Sequence, residues 1–124
     1  MKPSILLFQI SKPQSVKLIK ALLPLKIKIK KIRTDEYFLP IKNLIEPGKN
    51  TVSDSSKESA AELSDPMIVF VGLSNAQLDY ALVAIRRAGT GPIPYKAVIT
   101  PSNQDWNAFE LLEELKIEHE KMHS

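Results

Sequence analysis

Hydrophobic and polar positions follow the same order twice along the chain. Residues 5–10 and 67–71 are short apolar runs, typical of strands that are covered on both faces. Each run precedes a Ser-x-x-Gln capping box, at Ser11 and at Ser74, where a helix is expected to start. Apolar residues then recur at helical spacing, and a further short strand follows in each copy. The sequence therefore predicts two consecutive β-α-β units.

The chemistry of these strands predicts their places in a sheet. The two apolar runs are expected to be central, whereas residues 25–30 alternate apolar residues with lysine, which is typical of a protected edge strand. The pattern of residues 95–99 is intermediate between the continuous apolar and the alternating pattern. In the duplication, Thr34 corresponds to Thr100. This pattern predicts an α/β (α+β) two-layer sandwich with a ferredoxin-like four-stranded sheet in the order 4-1-3-2. A fully parallel sheet is the alternative.

An amphipathic helix is predicted at the end of the chain, from Asp105 to Met122. Its apolar side carries five residues: Trp106, Phe109, Leu112, Leu115 and Met122. This helix or a partner subunit would cover the second face of the sheet. Because the central strands are apolar on both sides and need cover, we expect a homodimer. A sheet buried by the last helix of the same chain would remove that expectation.

The length of 124 residues suits one domain, with 44% hydrophobic and 25% charged residues. We predict a first unit at 4–46, a flexible Ser-rich insert at 47–66, and a second unit with the last helix at 67–124. No apolar run reaches the roughly 20 residues that span a bilayer. No signal-peptide cleavage pattern follows the first apolar run, so a cytoplasmic protein without membrane contact is expected.

Charge is distributed unevenly, and cysteine is absent. Residues 1–34 hold nine Lys or Arg and no acid, whereas residues 104–124 hold two bases and six acids. The two regions could attract each other within or between chains. The absence of cysteine excludes disulfides, thiolate nucleophiles and cysteine-based metal sites.

A family resemblance is carried by the second half of the chain. The residues that support it are Met67-Ile68-Val69-Phe70, Ser74-x-x-Gln77-Leu78-Asp79, Pro94 to Pro101 followed by x-Asn103-x-x-Trp106, and Glu110 to Leu115. This pattern resembles the bacterial domain of unknown function 3783, and Ile5 to Leu44, with Tyr37-x-x-Pro40, resembles the region that precedes it. The resemblance implies a small bacterial protein without an assigned activity.

His119-Glu120-Lys121-Met122-His123 matches the H-E-x-x-H pattern of zinc peptidases. That chemistry needs two histidines one helical turn apart, a glutamate that activates water, and a third protein ligand in a closed cleft. Here only upstream acids could supply the third ligand. We interpret the match as a coincidence and predict neither a metal nor another cofactor.

A basic surface is predicted along the second strand. It comprises Lys26, Lys28, Lys30, Lys31 and Arg33. Phosphate binding by such a surface would be independent of sequence and sensitive to salt, which makes nucleic-acid binding the alternative function. Edge protection and solubility explain the same lysines, and core packing explains Phe8 and Phe70, the aromatic residues of the two central strands.

A polar turn joins the last strand to the last helix. Its candidate binding residues are Thr100, Ser102, Asn103 and Trp106. Ser102 or Asn103 could instead cap the helix while Trp106 anchors it. The leading hypothesis is a non-enzymatic interaction or regulatory module that binds a small ligand or a protein partner. An unrecognised enzyme that uses Asn103, Asp105 or Glu110 is the third hypothesis.

Overall fold

The computed structural model describes residues 3–45, 62–91, 93 and 95–123. The elements are β1 (Ser4–Phe8), α1 (Lys12–Leu22), β2 (Lys28–Lys31), α2 (Ile41–Ile45), β3 (Met67–Val71), α3 (Asn75–Arg87), β4 (Tyr95–Val98) and α4 (Ala108–His123). Short 3-10 turns occupy Leu23–Leu25 and Thr34–Glu36. Residues 47–61 of the predicted insert lie outside the described residues. In the described part of the chain, no helix combines the length and apolar character needed to cross a bilayer.

Both predicted capping boxes are present. The hydroxyl of Ser11 accepts a hydrogen bond from the Gln14 N–H at 3.3 Å, and the hydroxyl of Ser74 accepts one from the Gln77 N–H at 3.2 Å. In each box the glutamine side-chain oxygen accepts the serine N–H in return. These bonds satisfy backbone donors that the first helical turn leaves without partners, which is why both helices begin directly after serine.

The sheet has the order β2-β1-β3-β4. Strands β1 and β3 are buried along their whole length and lie side by side in the centre, as predicted, with β2 and β4 at the edges. Each outer strand is parallel to the first strand of its own unit, and β1 is antiparallel to β3. The predicted order 4-1-3-2 is therefore wrong, and the fully parallel alternative is also excluded.

The strand order follows from the connection between β2 and β3. A tight hairpin would have placed these two strands next to each other. The chain instead leaves β2 after Lys31 and reaches β3 only at Met67. Within that connection Tyr37, Ile41 and Leu44 are buried beneath the sheet. The apolar pattern of β1 and β3 required central positions, but it did not specify which edge strand each of them pairs with.

Helices of the same chain cover both faces of the sheet. Ile5 and Phe70 belong to the cluster that packs against α1 and α3. Leu6 and Val69 belong to the opposite cluster, which contains residues of α2 and α4. The two-layer unit with an added helix is confirmed. The expectation of a homodimer loses its premise, because no central strand lacks cover within the chain.

The last helix begins three residues later than predicted, at Ala108 instead of Asp105. The side-chain oxygen of Asn107 accepts the Glu110 N–H at 2.9 Å, and a carboxylate oxygen of Glu110 accepts the Asn107 N–H at 3.1 Å. Asn107 therefore caps the helix in place of Ser102 or Asn103. Within the predicted apolar side, Leu112 is buried, and Trp106, Phe109 and Leu115 pack against the same core cluster.

The register of the strands shows which residues of the two β-α-β units are equivalent. The Ile32 N–H donates to the Leu7 carbonyl, and the Ile99 N–H donates to the Phe70 carbonyl, both at 2.9 Å. The offset between the copies is 63 residues at Ser11 and Ser74 and 67 residues at Ile32 and Ile99. Matching Thr34 with Thr100 was therefore wrong by one position. The helix-to-strand connection of the second unit is four residues longer than that of the first.

Candidate functional site

The turn after β4 is fixed by the side chain of Asn103. Its amide oxygen accepts the Thr100 N–H at 2.8 Å, and its amide nitrogen donates to the Val98 carbonyl at 3.2 Å. The Trp106 N–H donates to the Asn103 carbonyl at 3.1 Å. An asparagine that bonds to neighbouring backbone in this way stabilises a turn. Asn103 therefore shapes the turn, and its amide is already engaged within the protein.

Residues of helix α2, in the first unit, also bond to this turn. The Ile41 N–H donates to the Trp106 carbonyl at 2.8 Å, and the Lys42 N–H donates to the Gln104 carbonyl at 3.0 Å. A Lys42–Asp105 ion pair with a 2.6 Å separation lies at the surface. The turn is thus attached to α2 by backbone hydrogen bonds, although 62 positions separate Lys42 from Gln104 in the sequence.

The candidate residues of this turn line a single groove of about 310 Å³ between β4 and α4. Thr100 and Ser102 are exposed, and Asn103 and Trp106 are half-buried. The helix contributes further lining residues that the sequence analysis did not select: Leu111, Glu114, Leu115 and Glu118. Their spacing of three and four residues was the available signal, since such positions share one helix face. We call this site the β4–α4 groove.

A larger cavity of about 680 Å³ lies between α3 and β4. Arg86 and Lys96 line it together with three apolar residues and two glycines: Leu82, Ile85, Ile93, Gly89 and Gly91. The Lys96 ammonium donates to the Ile93 carbonyl. Burial lowers the pKa of Lys96 from its usual value, and the positive charge of Arg86 lowers it further. Arg86 and Lys96 are not among the binding residues predicted from the sequence. We call this site the α3–β4 cavity.

The structure does not bring the five basic candidates together on one face. Lys28 and Lys30 share the sheet face of Leu6, whereas Lys31 lies on the face of Ile29. The Lys30 ammonium donates to the Leu44 carbonyl at 3.1 Å. The ammonium of Lys30 is therefore already bonded within the protein. The positive charges of β2 are divided between the two opposite faces of the sheet.

The remaining two basic candidates lie outside the strand. Lys26 ends the 3-10 turn in a left-handed conformation, and the Arg33 N–H donates to a carboxylate oxygen of Glu36 at 3.3 Å. The acidic helix α4 packs along β4, at the sheet edge opposite β2. The lysines of β2 and the acidic helix α4 therefore lie at opposite edges of the sheet.

Of the H-E-x-x-H pattern, the structure describes the side chains of His119 and Glu120. The ring of His119 lies edge-on to Tyr95, with 5.7 Å between the ring centroids. Among the described residues, no group of three His, Asp or Glu side chains is placed to hold a metal ion. The side chain of His123 is outside the described residues, so its role stays a prediction.

The two carboxylates of the enzyme hypothesis have local structural partners. Asp105 pairs with Lys42, and Glu110 completes the cap of α4 with Asn107. Both carboxylates are exposed. Neither is among the residues that line the β4–α4 groove. The structure thus gives both residues roles in holding the turn and starting the helix.

The match to known proteins covers the part of the chain that contains both cavities. Residues 66–122 match the family model described as a domain of unknown function (DUF3783). This segment runs from β3 to α4, so it includes the β4–α4 groove and the α3–β4 cavity and confirms the resemblance seen in the sequence. Neither a curated protein nor a solved structure matches the chain significantly.

Proposed function

We propose that this protein is a non-enzymatic binding module of the bacterial cytoplasm that takes a small organic ligand into the β4–α4 groove. One observation carries the proposal: Thr100, Ser102, Asn103 and Trp106 line the same groove as one face of α4. Concave sites with an apolar wall and a few convergent polar groups are the usual form of small-ligand sites.

Preorganisation supports this proposal. The turn is held by groups of the protein itself, through the backbone hydrogen bonds from Ile41 and Lys42 and the two side-chain bonds of Asn103. A site that is ordered before binding loses less conformational entropy when the ligand enters. The exposed hydroxyls of Thr100 and Ser102 can then act as hydrogen-bonding groups toward a ligand.

The lining residues define the chemistry of the ligand. Trp106 and Leu115 form an apolar wall, and Glu114 and Glu118 lie one helical turn apart at the groove. Like charges at this spacing repel each other, and a cation placed between them would relieve that repulsion. Lys96 also touches the groove, but its ammonium bonds to the carbonyl of Ile93, which lines the α3–β4 cavity and not the groove. The charge of Lys96 therefore belongs to that cavity. We therefore propose a ligand with an apolar or aromatic body and a positively charged group.

The fluorescence of Trp106, the single tryptophan of the chain, reports on this site directly. We expect phenethylamine to change the fluorescence with a saturable curve, and 3-phenylpropionate, which has a similar body and the opposite charge, to bind at least about tenfold more weakly. Replacing Glu114 and Glu118 together by Gln should remove that difference between the two probes.

The control is a Glu113→Gln and Glu120→Gln double variant, which removes the same charge from positions of α4 that do not line the groove. We expect it to bind phenethylamine as the unmodified protein does. An equal loss in both double variants would assign the effect to net charge and overturn the proposal. An unsaturated response at millimolar phenethylamine would overturn it as well.

A further inference from the structure

The α3–β4 cavity is more than twice as large as the β4–α4 groove and has different chemistry. Two cationic side chains, Arg86 and Lys96, line it above an apolar floor that includes Leu82, Ile85 and Ile93. We propose that this cavity is a second binding site, which takes an organic anion with a phosphate or carboxylate group attached to an apolar body.

Comparison of the two β-α-β units shows what is special about this cavity. By the offsets established above, Leu82 and Ile85 correspond to Ile19 and Leu22, which are apolar in both units. Arg86 and Lys96 correspond instead to Leu23 and Ile29. The second unit thus carries two cations at positions where the same fold is built with apolar residues, so folding by itself does not require these charges.

The two cations also oppose each other electrostatically. Both line the same cavity, and the half-buried ammonium of Lys96 has lost part of its hydration. Like charges that line one cavity repel each other, whereas an anion between them gains attraction from both. An arginine and a lysine together are a common combination for binding phosphate and carboxylate groups.

The loop at the mouth of the cavity is open but fixed in place. Gly89 and Gly91 have φ values of +74° and +85°, and the positions where their Cβ atoms would be have no neighbour within 4 Å. The side-chain amide of Gln14 donates to the Thr90 carbonyl at 3.0 Å, and the Lys17 ammonium donates to the Gly89 carbonyl at 3.4 Å. Helix α1 therefore holds Gly89 and Thr90 by these hydrogen bonds, and space remains beside Gly89 and Gly91.

The test uses hexyl phosphate, with inorganic phosphate and hexanol as probes for its two halves. We expect calorimetric titration to show binding of hexyl phosphate that is at least about tenfold tighter than that of either half. The double variant Arg86→Leu and Lys96→Ile, which restores the residues of the first unit, should weaken hexyl phosphate binding at least about tenfold. Hexanol binding should stay unchanged, because the apolar floor is retained.

The control is Arg87→Leu, which removes one charge from the adjacent position of α3 outside this cavity. It should bind hexyl phosphate normally. A single Lys96→Gln variant provides the same comparison if the double variant does not fold. Equal affinity in the unmodified protein and the cavity variants would overturn the proposal, and so would an equal loss with Arg87→Leu.

A phosphate on an apolar body can come from a free molecule or from a lipid headgroup, and a sedimentation assay separates the two. We expect hexyl phosphate to bind in solution and vesicles of phosphatidylglycerol not to sediment the protein, because Ile85 and Ile93, which would contact the apolar body, are buried at the cavity. Sedimentation that requires Arg86 and Lys96 would support the same site with a lipid as the source. Absence of both kinds of binding would overturn the site itself.

Discussion

Leu6 and Val69 face each other across the antiparallel β1–β3 pair and also hold the same position in the two β-α-β units. Ile5 lies opposite Phe70, and Leu7 lies opposite Ile68, so the pairing is symmetric about this point. An approximate two-fold axis therefore passes between Leu6 and Val69. The duplication seen in the sequence is expressed as a sheet that is symmetric about its central pair.

This central pair is expected to be sensitive to truncation. Both residues are almost completely buried in the cluster beneath α2 and α4. Leu6→Ala should lower the free energy of unfolding by about 2–5 kcal/mol, because it removes buried methyl groups and leaves a cavity. Leu23→Ala is the control, since Leu23 is 69% exposed and its truncation should change stability by less than about 0.5 kcal/mol. Urea denaturation measures both, and equal losses would contradict the assignment of the core.

The two units differ in how they form the turn after the helix. Lys26 and Gly89 occupy equivalent positions, with φ values of 55° and 74°, in the left-handed region that favours glycine. Gly89→Ala should lower the free energy of unfolding by about 1–2 kcal/mol, and the cause is backbone strain alone because the added Cβ meets no neighbour. Lys26→Gly should raise it by about 0.5 kcal/mol, as relief of strain exceeds the greater entropy of the unfolded chain. Thermal denaturation would refute this account if both variants shifted in the same direction.

Tyr37 links β1 to the second layer and gives a pH-dependent prediction. It is 1% exposed, and its hydroxyl accepts the Gln9 N–H at 2.7 Å. Burial raises the pKa of Tyr37 above its usual value of 10.0, the Gln9 N–H opposes the rise, and the charge of Glu62 adds to it. Because the unfolded chain releases this proton at lower pH than the folded protein, Tyr37 makes stability fall as pH rises above about 10.

The variant Tyr37→Phe separates the two roles of this hydroxyl. At pH 8 it should lower the free energy of unfolding by about 1–3 kcal/mol, because the Gln9 N–H loses its acceptor. Above pH 10 it should lose stability less steeply than the unmodified protein when both are followed by urea denaturation. Parallel curves for the two proteins would show that Tyr37 does not titrate with a raised pKa.

The division of the β2 lysines predicts weak binding of nucleic acid. Lys28 and Lys30 lie on one face and Lys31 on the other, and Lys30 bonds to the Leu44 carbonyl. Few charges can therefore contact one phosphate backbone at the same time. Fluorescent single-stranded RNA and duplex DNA should bind only at low salt, and binding should vanish at physiological ionic strength. Tight binding at physiological salt that is lost when Lys26, Lys28 and Lys30 are changed to Ser would make nucleic-acid binding the favoured function.

The sequence was sufficient to predict the local elements. Ser11 and Ser74 start helices because a hydroxyl followed three residues later by glutamine satisfies the first helical amides within a few residues of chain. The continuous apolar character of β1 and β3 was enough to predict central strands covered on both faces. The sequence also indicated that Thr100, Ser102, Asn103 and Trp106 belong to one polar turn at the end of a strand.

Other features depended on competition between partners that lie far apart in the chain. Asparagine is a residue type that often caps helices, but the side-chain amide of Asn103 bonds to the backbone of Thr100 and Val98. Asn107 caps α4 instead. Gln9 adopts a left-handed conformation, at the position where the second unit has Gly72, and its side chain accepts the Leu63 N–H. Neither outcome can be read from local preference, because each depends on which distant backbone group is brought near.

The sequence by itself thus determined the two β-α-β units, their capped helices and the central places of β1 and β3, because these follow from short-range hydrogen bonds and from burial. Only the tertiary structure decided the strand order and the pairing of Arg86 with Lys96 at one cavity. Hydrophobic pattern specifies that a residue is buried or exposed, but not which neighbour it meets. That choice depended on the connection from β2 to β3, whose residues Tyr37, Ile41 and Leu44 are buried beneath the sheet, and on the longer connection that follows α3.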